Sequence, residues 1–66
     1  MSSNNQLIIR KEAEDKFVVY HDWCVDNEFQ FDEDDIIGWA RNLEKAVEVA
    51  NEFMRENLVE YGMRII

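Results

Sequence analysis

The stretch from Asp26 to Asp35, DNEFQFDEDD, is where the chain most plainly carries groups that could do chemistry. It holds six carboxylates in ten residues and no lysine or arginine. A calcium loop of the EF-hand type requires oxygen ligands at positions 1, 3 and 5, glycine at 6 and glutamate at 12. A loop starting at Asp32 places Ile37 at position 6 and Leu43 at position 12. A start at Asp26 fails in the same way, so the sequence predicts no metal site.

Catalytic groups are not predicted elsewhere in the chain either. His21 and Cys24 are three residues apart, and on an extended strand such residues point to opposite faces. A nucleophile and its base must lie within hydrogen-bond reach. The chain has no threonine, its serines are Ser2 and Ser3, and its two glycines do not form a phosphate-binding loop. We therefore expect a protein that is not an enzyme and needs no cofactor.

The charge of the chain is strongly segregated. The net charge is −8, and residues 22–38 account for −7 of it because they contain seven acidic residues and no basic one. Such a field repels nucleic acid and anionic membranes and attracts basic surfaces. The sequence thus argues against direct nucleic-acid or membrane binding and favours a larger protein with a basic surface as the partner.

Strict alternation in NEFQFD, residues 27–32, would hold acidic side chains about 7 Å apart on one face of a strand, close to the spacing of phosphates. An exposed tryptophan beside them would act as an aromatic anchor, because such residues dominate interface energetics. The other interpretation is a solvated loop and sheet edge whose charges prevent aggregation. The predicted partner-binding residues are Asp26, Glu28, Asp32, Glu33, Asp34, Asp35, Trp23 and Trp39.

The length of 66 residues predicts a single domain spanning 1–66, with residues 1–5 as a disordered tail. A core of this size gives only a few kcal/mol of net stability, which makes docking or self-association reasonable. The N-terminus has no basic region followed by an apolar run, and no apolar stretch approaches membrane-spanning length. A cytoplasmic location is therefore expected.

The periodicity of the chain predicts a two-layer α+β fold in the order β-β-β-α-β, an antiparallel sheet with one helix packed on one face. Leu7–Arg10 and Phe17–Trp23 read as a hairpin, and NEFQFD and IIGWA as strand segments, with Gly38 marking a bulge. A helix begins after Asn42 and presents an apolar stripe at three-four spacing. The stripe is Leu43, Ala46, Val47, Ala50, Phe53, Met54, Leu58 and Tyr61.

The end of the helix is open between two interpretations. In the favoured one, the helix continues to Gly62, whose left-handed conformation closes it, and MRII forms a short last strand. In the other, the helix ends near Asn57 and LVEYGMRII is a longer strand. In either case the second face of the sheet has no helix to cover it, and exposed apolar surface is expected there.

The segment IIGWARNLEKAVEVANEFM resembles the point where the third strand of HicB-like antitoxins enters the helix. It is also similar to a segment of a small phage-encoded inhibitor of bacterial RNA polymerase. The matching positions are Ala40, Asn42, Leu43, Ala46 and Ala50, about a third of the chain is covered, and no catalytic residue is implied. The chain lacks the DNA-binding segment of HicB proteins. The polymerase-inhibitor resemblance implies an acidic protein that docks on a large basic enzyme.

Three hypotheses follow. The first is a non-enzymatic interaction module that binds, and inhibits or regulates, a nucleic-acid-processing protein such as RNA polymerase, a nuclease or a toxin. The second is a structural module that self-associates, as a homodimer, through its open sheet face or its edge strand. The third, a small metal-dependent enzyme or ion buffer, has the least support in the residues.

Overall fold

A computed structural model describes residues 5–23 and 31–66. In these residues the chain forms four strands, one α-helix and a short 3-10 turn, in the predicted α+β order. The elements are β1 (Gln6–Ala13), β2 (Lys16–Asp22), the 3-10 turn (Glu33–Asp35), β3 (Ile36–Ala40), α1 (Leu43–Glu56) and β4 (Met63–Ile65). Of the predicted strand NEFQFD, residues 27–30 lie outside the described part, and Phe31 and Asp32 are not in a strand.

The sheet has the order β3-β2-β1-β4 and is mixed. β1 pairs antiparallel with β2, and β2 pairs antiparallel with β3, as a hairpin and a third strand should. β4 pairs with β1 in parallel, so the prediction of a wholly antiparallel sheet is wrong at this one strand. The reason is α1, which carries the chain back to the starting end of the sheet before β4 begins, as crossover helices do between parallel strands.

The helix covers one face of the sheet and forms the main core there. Side chains of β1, β2 and β3 that alternate toward this face meet the predicted apolar stripe of α1. The fully buried members are Leu7, Ile9, Val19, Ala40, Ala46 and Ala50. Gly38 allows the close approach of strand and helix, because a Cβ built on it would lie 2.8 Å from Cγ1 of Val49.

The start of α1 is confirmed and its favoured end is wrong. Asn42 caps the helix, its side chain accepting a hydrogen bond from the Lys45 N–H at 2.8 Å. The helix stops at Glu56, since the Asn57 backbone is extended and its amide side chain bonds the Phe53 carbonyl oxygen. That local hydrogen bond competes with another helical turn.

Residues beyond Asn57 form neither a helix nor the longer strand of the other interpretation. Leu58 and Tyr61, assigned to the apolar stripe, are 72% and 60% exposed as a result. Gly62 has a φ of +72°, the predicted left-handed conformation, but it precedes β4 instead of closing the helix. The last strand is then Met63–Ile65 alone.

The other face of the sheet is less open than expected. Ile8, Val18 and Tyr20 form a second cluster there and are nearly inaccessible to solvent. Exposed apolar surface is found on the neighbouring edge strand, where Ile36 is 39% and Trp39 59% exposed. Within residues 5–23 and 31–66, the centre of this face is therefore covered without a second helix, and the exposed apolar side chains lie on β3.

Asn5 is buried, which corrects the expectation that the disordered tail extends to residue 5. Its side chain donates to the Leu58 carbonyl oxygen at 2.9 Å, contacts Nε2 of His21 at 3.0 Å, and accepts from the Glu60 N–H at 3.0 Å. Its own carbonyl oxygen accepts from the Tyr61 N–H at 3.0 Å. A single side chain thus holds the loop between α1 and β4 against the sheet.

Candidate functional site: an acidic turn beside an edge strand

The acidic turn, defined here as Asp32, Glu33, Asp34 and Asp35, is built by its own short-range hydrogen bonds. The Asp32 carboxylate accepts from the Asp34 N–H at 3.3 Å, and the Asp32 carbonyl oxygen accepts from the Asp35 N–H at 3.0 Å. Aspartate favours such turns because its short side chain can bond the backbone two residues ahead. The turn ends where Ile36 enters β3, so the four carboxylates lie at the start of an edge strand.

The acidic turn is not neutralised by the described residues. Within residues 5–23 and 31–66, none of its four carboxylates forms an ion pair within 4 Å. The ion pairs in that part of the chain lie on the hairpin and the helix: Lys11–Glu14, Lys16–Glu12, Lys45–Glu48 and Arg55–Glu52. Asp32, Glu33 and Asp34 are exposed and Asp35 is half-buried. The four carboxylates of the acidic turn are therefore adjacent and at least partly accessible to solvent.

Phe31 fixes the acidic turn to the sheet. Its ring meets that of Tyr20 edge-on, with centroids 5.1 Å apart, and the Arg10 guanidinium lies 4.0 Å above the ring centroid. Both contacts are favourable for an aromatic quadrupole. Because Phe31 directly precedes Asp32, this contact sets where the carboxylates emerge from the body of the protein.

Trp39 shares a groove with the acidic turn. The groove has a volume of about 820 Å³, and Glu33, Ile36 and Trp39 lie along it with Arg41. Val18 is opposite Trp39 in the strand pairing, so the indole projects from the same face as the second cluster. This arrangement places an exposed aromatic side chain in the same groove as one carboxylate of the acidic turn, that of Glu33.

Trp23 lies elsewhere. Its ring meets the His21 ring edge-on at 4.7 Å between centroids, and His21 in turn lies 5.6 Å from the Phe53 ring of α1. Trp23 is exposed, but it belongs to the helix-side surroundings of His21 and does not line the groove of Trp39. The predicted residues Asp26 and Glu28, like Cys24, lie outside the described residues.

Basic side chains border the same groove on the hairpin side. Arg10, Lys16 and Arg41 line it together with Glu12. Glu12 accepts a hydrogen bond from the Tyr20 hydroxyl. Burial of the Tyr20 ring raises the pKa of its phenol, the hydrogen bond to Glu12 raises it further, and Arg10 offsets part of the effect. The hairpin side of the groove is thus a balanced polar network, while the acidic turn on its far side is not balanced.

The chemistry available at the acidic turn is that of exposed carboxylates. In the described ranges, no three carboxylate, imidazole or thiol groups converge closely enough to hold a metal ion. The Asn5–His21 contact uses the imidazole in a structural hydrogen bond. What the acidic turn offers chemically is a fixed set of hydrogen-bond acceptors and negative charge for a cationic partner.

Comparison of the chain with protein-family models, with curated proteins and with solved structures gave no match. Within residues 5–23 and 31–66, the helices are too short and too polar to cross a lipid bilayer.

Two side chains that organise the structure were missed by sequence reasoning. Phe31 was assigned to an alternating strand. The one sequence signal that it fixes the acidic turn to the sheet was its position between two acid-rich segments. Asn5 was assigned to the tail, and no local signal marks it, because its side-chain partners are 16 to 55 residues away.

Proposed function

We propose that this protein is a non-enzymatic interaction module whose acidic turn docks on the basic surface of a larger nucleic-acid-processing protein and inhibits or regulates it. Trp39 is the aromatic anchor of that contact. Among the predicted contact residues that the structure describes, the four carboxylates of the turn are adjacent in the chain, and one of them, Glu33, lines the same groove as Trp39. Trp23 is not needed for it.

One observation carries the proposal: four adjacent carboxylates, fixed on a turn by Phe31, have no ion-pair partner among the described residues. Their mutual repulsion is unfavourable for the isolated fold, and a cationic partner would relieve it. Exposed charge of this kind mainly accelerates association and selects against like-charged surfaces.

The class of partner follows from the sign and density of the charge. Proteins that bind a nucleic-acid backbone present clustered lysine and arginine, which neutralise successive phosphates. A compact group of carboxylates matches such a groove, and occupying it would block nucleic acid from entering. RNA polymerase and toxin nucleases, which the sequence resemblances imply, both belong to this class.

The test is a binding measurement with purified bacterial RNA polymerase and a panel of nucleases at two ionic strengths. The variant combines Asp32→Lys, Asp34→Lys and Asp35→Lys, and the matched control combines Glu44→Lys, Glu52→Lys and Glu56→Lys. Both change the net charge equally, but the control changes lie on the exposed side of α1.

We expect the turn variant to lose binding to the cognate partner and the helix variant to keep most of it. Binding by the native chain should weaken as salt rises. Equal loss of binding in both variants would show that net charge matters and the position of the carboxylates does not. Unchanged binding by the turn variant would refute the proposal.

A second candidate function, self-association, is favoured by the exposed apolar side chains of β3. Ile36 and Trp39 lie on an edge strand that pairs on one side only among the described strands.

A further inference from the structure

Among the residues that the structure describes, no strand pairs with the outer side of β3. β3 is at one edge of the sheet, and its pairing within the described residues is with β2 alone. Natural edge strands are usually protected by lysine, proline, inward-pointing charge, a bulge or a very short length. The five residues of β3, IIGWA, contain no lysine, proline or charged residue, and their pairing with β2 has one irregularity, at Ile37. Beside this edge, a groove of about 790 Å³ is lined by residues of both β3 and α1, with Ile37, Val49 and Phe53 among its apolar lining.

An irregularity in β3 gives its side chains an unusual order. Val19 is opposite Gly38 and Tyr20 is opposite Ile36, so Ile37 is an extra residue in the pairing. Ile36 consequently lies on the face of Tyr20, while Ile37 packs with the helix-side core. Gly38 also faces the helix, and Trp39 returns to the face of Val18. Ile36 and Trp39 thus lie on one face of the sheet and Ile37 and Gly38 on the other, so the order of faces is the same in either chain direction.

We propose that β3 pairs antiparallel with β3 of a second copy of this chain, about a two-fold axis between Ile37 and Gly38. Directly opposite residues of an antiparallel pair share a face. In this register Ile36 is opposite the partner's Trp39, and Ile37 is opposite the partner's Gly38. Each exposed apolar side chain of the edge then packs on one from the other copy, and the two sheets join into one of eight strands.

The charges that flank β3 suit the same register. Directly beyond the apolar residues, Asp35 is opposite the partner's Ala40. The chain forms a 3-10 turn from Glu33 to Asp35, so the acidic turn approaches Arg41 of the partner subunit without continuing the strand pairing, and the symmetry repeats this approach at the other end. Arg41 is exposed, and no ion pair of the described residues includes it. An antiparallel copy therefore meets opposite charge at both ends, which is why a second copy fits this edge.

Parallel pairing of two copies would instead place one acidic turn beside the other. The opposite edge of the sheet is also less suitable, because β4 has three residues and carries Arg64 without an acidic turn. A single guanidinium per copy leaves most of the acidic turn exposed in the dimer. Trp39 is packed on Ile36 of the partner subunit, however, so the dimer and the proposed docking partner compete for this side chain.

The test is sedimentation velocity of the full chain from micromolar to millimolar concentration. The native chain should form a dimer that weakens as salt is added. Asp34→Arg and Arg41→Asp should each weaken self-association about tenfold, because each places like charges together twice per dimer. Arg64→Asp is the matched control on the other edge and should leave the dimer unchanged.

Mixing the two weakened variants gives the decisive result. In a heterodimer of Asp34→Arg with Arg41→Asp, both pairs are again of opposite charge, so the mixture should dimerise although neither variant does so well alone. Circular dichroism of each variant confirms folding. A native chain that stays monomeric at millimolar concentration, or a mixture that recovers nothing, would overturn the proposal.

Discussion

Replacing Asn5 with alanine should destabilise the fold far more than its place near the N-terminus implies. Asn5 is 3% exposed and its side chain makes three hydrogen bonds, to the Leu58 carbonyl oxygen, the Glu60 N–H and the His21 ring. A typical intramolecular hydrogen bond contributes about 0.5–1.5 kcal/mol net, which gives roughly 2–4 kcal/mol for three.

The lower half of that range is the better expectation. Leu58 and Glu60 are exposed residues, so water can reach part of what the amide leaves unpaired. A loss of about 2 kcal/mol in the free energy of unfolding corresponds to a fall of roughly 8–16 °C in Tm for a domain of this size. Small domains have total free energies of unfolding of about 5 kcal/mol, so this loss would be a large fraction of the total.

The assay is chemical denaturation followed by circular dichroism, with Asn51→Ala as the matched control. Asn51 is exposed on α1, and its replacement should change the free energy of unfolding by less than about 0.5 kcal/mol. Asn5→Asp supplies a second comparison, because it keeps an acceptor for the Glu60 N–H but cannot donate to Leu58.

Hydrogen exchange localises the effect. In Asn5→Ala the Glu60 amide should lose protection first, because it bonds the missing side chain, whereas the Tyr61 amide bonds the backbone of residue 5. A variant as stable as the native chain, with Glu60 still protected, would show that the amide does not hold the loop.

Three further outcomes are expected. Gly38→Ala should destabilise the protein by about 1–3 kcal/mol, as overpacking does. Adding Val49→Ala should recover part of the loss in a denaturation double-mutant cycle, since the added Cβ meets Val49 Cγ1 at 2.8 Å. Gly62→Ala should cost about 1–2 kcal/mol from its φ of +72° alone, because no atom lies within 4 Å of the new Cβ; an unchanged Tm would contradict this. Burial and the hydrogen bond to Glu12 raise the pKa of Tyr20 in the folded protein, so the phenol of the unfolded chain ionises at a lower pH. The free energy of unfolding should therefore fall as pH rises above about 10, and denaturation measured at several pH values should show no such loss for Tyr20→Phe.

Local signals in the sequence predicted the parts of the fold that depend on neighbouring residues. The Asn42 cap bonds an N–H three residues away, and the hairpin strands pair across the short turn between Ala13 and Lys16. Alternation and helical spacing identify such elements because the same residues that define the pattern make the contacts.

What the sequence could not predict depends on distant partners. The direction of β4 follows from the path of the whole chain, and the burial of Asn5 follows from the loop that packs on it more than 50 residues later. At the end of α1, the apolar stripe favours another helical turn, whereas Asn57 favours ending the helix. The Asn57 amide bonds the Phe53 carbonyl oxygen at that point.

For the site, the segregation of charge was visible in the sequence because it needs only composition. The choice between Trp23 and Trp39 was not visible, since the sequence does not show which groups each ring contacts. The structure separates them by what each ring contacts, His21 for Trp23 and the groove of Glu33 for Trp39. The role of Phe31 required the positions of Tyr20 and Arg10, which belong to other strands.

The position of β1 between β2 and β4 has a consequence for how the chain acquires its structure. β2 follows β1 almost immediately, whereas the residues that flank β1 on its other side are Met63–Ile65, at the far end of the described chain. Closing so long a loop is slow compared with forming a hairpin. During synthesis, a nascent chain would therefore display one bare side of β1 until these residues emerge from the ribosome, and strand-like segments of other nascent chains compete for that side in the interval.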